Sequence, residues 1–82
     1  MNSPIKKFNA GGIQVAVWEN QNKEGGTFSS VSIDRRYMDK NNEWKSTNSL
    51  KQNDIPKAIL ALEKAYEYIT LNNESKTIEA LA

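Results

Sequence analysis

Apolar residues recur at every second position over the first part of the chain and at every third or fourth position over the last part. In residues 13–19, Ile13, Val15 and Val17 share one face while Gln14, Ala16 and Trp18 share the other. This is the pattern of a strand with one buried face. Residues 28–37 repeat it, with Val31 and Ile33 set against Phe28, Ser30, Ser32, Asp34 and Arg36. A third strand spans Glu43 to Leu50, where alternation is weaker because Ser and Thr fall on both parities. Trp44 and Leu50 share a parity. If Leu50 points at the core, Trp44 is at least half-buried, and Lys45, Thr47 and Ser49 lie on the open side. The stretch Ile5 to Asn9 supplies a short leading strand. Gly11-Gly12, Gly25-Gly26 and Asp39-Lys40-Asn41-Asn42 are turn chemistry, so the strands follow one another as antiparallel neighbours.

From Asp54 the period changes. Ile55, Ala58, Ile59, Leu62, Ala65, Tyr66 and Ile69 form one apolar stripe, which predicts a helix of about four turns. Asn53 or Asp54 caps its start, and Pro56 falls in the first turn, where its missing donor costs nothing. The helix is expected to stop near Leu71-Asn72-Asn73. Leu60, Ala61 and Tyr68 widen the apolar surface beyond one sheet contact, so part of the helix is expected to face a partner subunit. The fold class is therefore α+β: a four-stranded antiparallel sheet followed by one packed C-terminal helix, β-β-β-β-α, assembled as a homodimer through that helix. One domain fills residues 1–82, with its core over 5–71 and a short tail or extra helical turn over 72–82.

Composition narrows the chemistry. The 82 residues contain neither Cys nor His, which removes thiol nucleophiles, disulfides, the usual zinc ligands and imidazole acid/base catalysis. No metal, cofactor or catalytic residue is expected. Glu63 and Glu67 lie four apart on the helix, but Lys64 beside them makes charge balance the ordinary explanation. The glycine pairs lack the strand–turn–helix context and Lys-Ser/Thr ending of a phosphate loop. Eleven basic and ten acidic side chains leave a net charge of +1, so no whole-molecule field gathers polyanions. A domain this small buries only about 60% of its unfolded surface, which favours pairing with a second copy. No stretch reaches the ~18 apolar residues of a membrane span, and the opening residues lack the apolar run of a secretory signal. An intracellular, cytoplasmic location is expected, with association to a nucleoid compatible with it.

The unusual feature is the sheet face turned away from the helix. Solvated faces carry Lys, Glu and Thr, whereas this one sets Trp18 and Phe28 among Gln14, Ser30, Ser32 and Arg36, with Lys45 nearby. Rings among small polar and basic groups suit stacked bases, at about 1–3 kcal/mol per base, while cations follow the phosphates. In the competing reading Trp18 and Phe28 cover a sheet edge or a dimer contact, and the cations are solvated charge.

Residues 31–62, VSIDRRYMDKNNEWKSTNSLKQNDIPKAILAL, resemble the transcriptional positive-cofactor-four family of single-stranded-DNA-binding coactivators. Its members carry a strand ending in aromatic-Met-Asp, a hairpin turn, another strand, a Ser-Leu-containing exit and a helix. With Phe8 through Glu19 matching the first two strands, the resemblance covers roughly residues 5–70. It implies a helix-mediated dimer whose sheets present grooves for single-stranded DNA, and it places Tyr37 on an aromatic that contacts DNA in relatives. Asp34 departs from the pattern by standing at a basic contact, with Arg35 and Arg36 directly after it. The loop over 20–26 is longer than the family's and has Lys23 as its only cation. The family's acidic, serine-rich extension does not occur in these residues, so nothing beyond the resemblance suggests a role in transcription.

Together these readings predict a non-catalytic protein that binds single-stranded DNA, or RNA. Trp18, Phe28 and Tyr37 are expected to stack on bases, and Arg36, Arg35, Lys45 and Lys40 to hold phosphates. Lys6, Lys7 and Lys23 support them. The alternative is a protein-interaction module that uses the aromatic face or an uncovered sheet edge. A small oligonucleotide-binding barrel is hard to close with so few strands before a terminal helix.

Overall fold

Strand periodicity and turn chemistry produce four strands, β1 (Lys6–Ala10), β2 (Ile13–Gln21), β3 (Thr27–Met38) and β4 (Trp44–Thr47). They lie side by side in chain order, every neighbour antiparallel. A single 3₁₀ turn over Gln52–Asp54 leads into the helix α1 (Ile55–Leu81). This computed structural model describes residues 3–81, with side chains described for residues 3–71. The α+β architecture expected from the two periodicities is the one observed. Among the described residues no helix is long and apolar enough to cross a membrane.

Each hairpin turn has a local cause. Gly11 sits at φ +60° and opens the two-residue β1–β2 link, a conformation that L side chains rarely adopt. Gly12 is needed for a different reason: a Cβ there would stand 2.8 Å from the carbonyl oxygen of Arg36. At the β2–β3 turn, Asn22 Oδ1 accepts hydrogen bonds from the amides of Glu24 and Gly26 at 3.0 and 2.9 Å. Asp39 does the same at the β3–β4 turn, accepting from Asn41 at 2.8 Å and Glu43 at 3.0 Å. In both turns a short Asx side chain replaces a backbone acceptor and closes the loop. Asn42 follows at φ 62°, which asparagine tolerates better than most residues.

The core lies between β2 and α1. Ile13, Val15 and Val17 are completely buried, each worth roughly 1.5–3 kcal/mol. Facing them are Ala58, Ala61 and Ala65, with Phe8, Ala10, Ile33, Leu50, Tyr68 and Ile69 packed around the margin. Three alanines at this spacing let the helix approach the sheet closely. Phe8 and Tyr68 meet edge-on at 6.2 Å and fix the helix to β1.

Two expectations about the helix are corrected. Its apolar residues do not form one buried stripe, because the alanine face takes the sheet contact and leaves Ile55, Ile59, Leu62 and Tyr66 exposed. At 100° per residue these four lie on one flank, while Lys64 and Tyr68 lie on the opposite flank beside Lys6 and Phe8 of β1. The helix also runs past the stop expected at Leu71–Asn73, since residues 57–81 contain neither Gly nor Pro to end it. Ala82 lies outside the described residues.

Candidate nucleic-acid interface

Directly opposed residues of an antiparallel pair share a face, so the register assigns every strand position. Val15 opposes Phe8 on one side and Ile33 on the other, which defines the helix side. The opposite, uncovered side carries Lys7 and Asn9 from β1 and Gln14, Ala16, Trp18 and Asn20 from β2. From β3 it carries Phe28, Ser30, Ser32, Asp34, Arg36 and Met38, and from β4 Trp44 and Ser46. Trp18 and Phe28 therefore sit on the face away from α1, as their parity indicates.

At one end of this face Trp18 opposes Ser30, and Phe28 opposes Asn20 on the next pair. The indole nitrogen of Trp18 donates to Ser32 Oγ at 2.9 Å, so the ring leans back across the Ala16–Ser32 pair. Ala16 is buried although it faces away from the helix. Asn20 Nδ2 donates to Ser30 Oγ at 2.9 Å. Small hydroxyl side chains thus orient the neighbours without standing above them, and Phe28 remains 52% exposed.

A second aromatic lies at the other end, where the parity argument fails. Trp44 opposes Met38 and is 62% exposed, not half-buried. β4 ends at Thr47, so the parity of Leu50 does not carry back through the bend to Trp44. Counting instead from the Asp39–Glu43 closure, whose backbone bond measures 2.9 Å, gives the correct face. Trp44, Asn9, Gln14 and Arg36 line an open depression of about 530 Å³ beside the Gly11–Gly12 turn. Asn9, Gln14 and Trp44 were not expected as contact residues. Hairpin register was the signal that would have found Trp44.

The same register corrects the cations. Lys45 and Thr47 oppose Tyr37 and Arg35, which places all four on the helix side rather than the open side. Lys45 lies 3.4 Å from Asp39, whose carboxyl is held below its ordinary range by the amide of Glu43 first, then by Asn41 and Lys45, against a partial desolvation. Arg35 is 3.1 Å from Asp54 and 5.2 Å from the Tyr37 ring centroid, so both residues belong to a clasp rather than to the open face. Lys6 is also on the helix side, 5.7 Å from the Phe8 ring centroid. Lys23 and Lys40 occupy the two turns and are exposed. Of the expected phosphate contacts, Arg36 and Lys7 remain on the open face, and neither has an ion-pair partner among the described residues. Asp34 stands among them, opposite Gln14.

Among the described residues no cluster of acidic side chains could hold a metal ion. Glu67 is paired with Lys64 at 3.5 Å on the exposed surface of α1. No family model matches the chain, and no curated protein or solved structure matches it either.

Proposed function

We propose that the protein binds single-stranded nucleic acid, DNA by preference, on the uncovered face of its sheet, without catalysis. The observation that supports this most is the company of Trp18, Phe28 and Trp44: three accessible rings on one pleated surface, separated by Ser, Asn and Gln. Phe28 and Arg36 stand eight residues apart on β3, about 27 Å at strand rise, a span suited to several nucleotides. Bases stack on the rings, and the phosphates run past Arg36 and Lys7, with the exposed turn lysines Lys23 and Lys40 at the margins. The preference for DNA rests only on the resemblance of residues 31–62 to a single-stranded-DNA-binding family.

The binding unit in this proposal is a homodimer joined through α1. Ile55, Ile59, Leu62 and Tyr66 recur at spacings of four, three and four, the interval that lets one helix seat against an identical one. Val31, exposed on the helix side of β3, extends that flank onto the sheet. A monomer core to which the helix contributes only three alanines as buried residues, with Tyr68 and Ile69 at the margin, gains from the extra burial.

Titration with a mixed-sequence oligonucleotide at low salt tests the binding. Tryptophan fluorescence is expected to be quenched and to recover when salt is added. Unchanged fluorescence and mobility with every single strand tried would reject nucleic acid. Exposed rings would then favour a protein partner.

A further inference from the structure

Rings at the two ends of the open face have different surroundings. Trp18 and Phe28 stand among serines and Asn20, whose side-chain amide is already committed to Ser30. Trp44 instead borders a depression of about 530 Å³ shared with Asn9, Gln14, Arg36 and the Gly11–Gly12 backbone. No hydrogen bond among the described residues engages the side-chain amides of Asn9 or Gln14. The Gly11–Gly12 backbone forms the edge of the depression beside them. Stacking alone does not distinguish bases strongly. A carboxamide, with a donor and an acceptor side by side, matches the N6 and N7 edge of adenine, and a guanidinium matches phosphate oxygens.

We propose that this depression is a base-reading subsite: Trp44 stacks on one base, Gln14 or Asn9 reads the edge of an adenine, and Arg36 holds the adjoining phosphate. The inference rests on the nucleic-acid reading above and adds selectivity to it. The Trp18–Phe28 end then supplies affinity regardless of sequence, and the Trp44 end supplies preference. Arg36 reaches the subsite from β3, opposite Ser46 and directly beside Gly12, where its backbone amide donates to the Gly12 carbonyl at 2.8 Å. That bond ties the cation's strand to the glycine turn.

The test compares binding of oligo(dT), oligo(dC) and oligo(dT) with adenines at its centre, measured by fluorescence anisotropy at one salt concentration. The adenine-containing strand is expected to bind at least about fivefold more tightly than the other two. In the Gln14→Ala/Asn9→Ala protein the adenine-containing strand should bind no more tightly than oligo(dT) or oligo(dC). Trp44→Ala should weaken all three, and Trp44→Phe should restore most of the loss. Equal binding of all three strands by the parent protein, or a preference that survives the double substitution, overturns the subsite and leaves the sheet-face reading standing. A parent protein that binds none of the strands overturns both. The substituted side chains lie outside the core, and matching thermal unfolding midpoints would confirm that the variants fold.

Discussion

Trp18 donates its indole hydrogen to the hydroxyl of Ser32 across two strands, at 2.9 Å. The bond holds the largest ring of the β2–β3 hairpin against the open face while its surface stays partly accessible. Trp18→Ala is expected to raise the dissociation constant for a single strand by roughly 5- to 150-fold, the range of one lost stacking contact. Ser32→Ala frees the ring without removing it, so its loss should be smaller, within about fivefold. Anisotropy titrations of both variants against one oligonucleotide measure the difference.

Among the described residues Asp34 is the one acidic strand residue on the open face, between the Trp18 end and Arg36. Its charge opposes any phosphate passing over β3, so Asp34→Asn should tighten binding by about two- to tenfold at low salt and less at high salt. With Arg36 and Lys7 as the face's two cations, the logarithm of affinity should fall with the logarithm of salt at a slope of about −1.4. A salt series on parent and variant gives both quantities.

Much of this arrangement can be read in the residues themselves. The parity of Ile13, Val15 and Val17 against Trp18 is unambiguous because β2 is long and strictly alternating, and β3 agrees with it. Trp44 is misplaced when parity is counted from Leu50, since the strand ends at Thr47 and a bend at Asn48 breaks the period. Lys45 is misplaced with it. The helix shows a complementary difficulty: hydropathy favours Ile55, Ile59 and Leu62 as the buried face, but close approach to the sheet selects Ala58, Ala61 and Ala65. Helical period identifies the element, and side-chain volume decides which flank lies inside. The pairing of Arg35 with Asp54, nineteen positions away, depends on how the link between β4 and α1 turns, which no local pattern encodes.

That link is stabilised from both sides. Arg35 Nε lies 3.1 Å from Asp54 and 3.3 Å from the Ser49 carbonyl, and Asp54 Oδ2 also accepts from the Lys51 amide at 2.9 Å. Asp54→Ala removes the ion pair and the cap together and should cost about 1–2 kcal/mol in urea unfolding. Asp54→Asn keeps an acceptor for Lys51 and should cost less. Arg35→Lys loses the planar guanidinium and should resemble Arg35→Ala more than the parent.

Asp39 makes the β3–β4 turn sensitive to acid. Its carboxyl is favoured in the charged form by the amides of Glu43 and Asn41 and by Lys45, so its folded value lies below the ordinary 3.8. A lowered carboxyl adds stability above its unfolded value, and that stability is lost as pH falls from about 3.8 through the folded value. Thermal midpoints between pH 7 and pH 2 should therefore drop at the acid end, and Asp39→Asn should flatten that part of the curve while lowering the neutral midpoint.

The exposed flank of α1 gives a prediction about mass. Light scattering should report twice the 9.3 kDa of one chain, and Ile59→Glu or Leu62→Glu should return it to a single chain. Both positions lie outside the monomer core, so circular dichroism should remain that of a folded protein.

The most direct measurement is a nitrogen–proton correlation spectrum recorded while a short single strand is added. If the uncovered sheet face is the binding surface, the indole signals of Trp18 and Trp44 and the amides around Phe28 and Arg36 should shift together, while those of Ala58, Ala61 and Ala65 stay in place. Shifts confined to the Ile59–Tyr66 flank of α1, or an unchanged spectrum at saturating oligonucleotide, would contradict it.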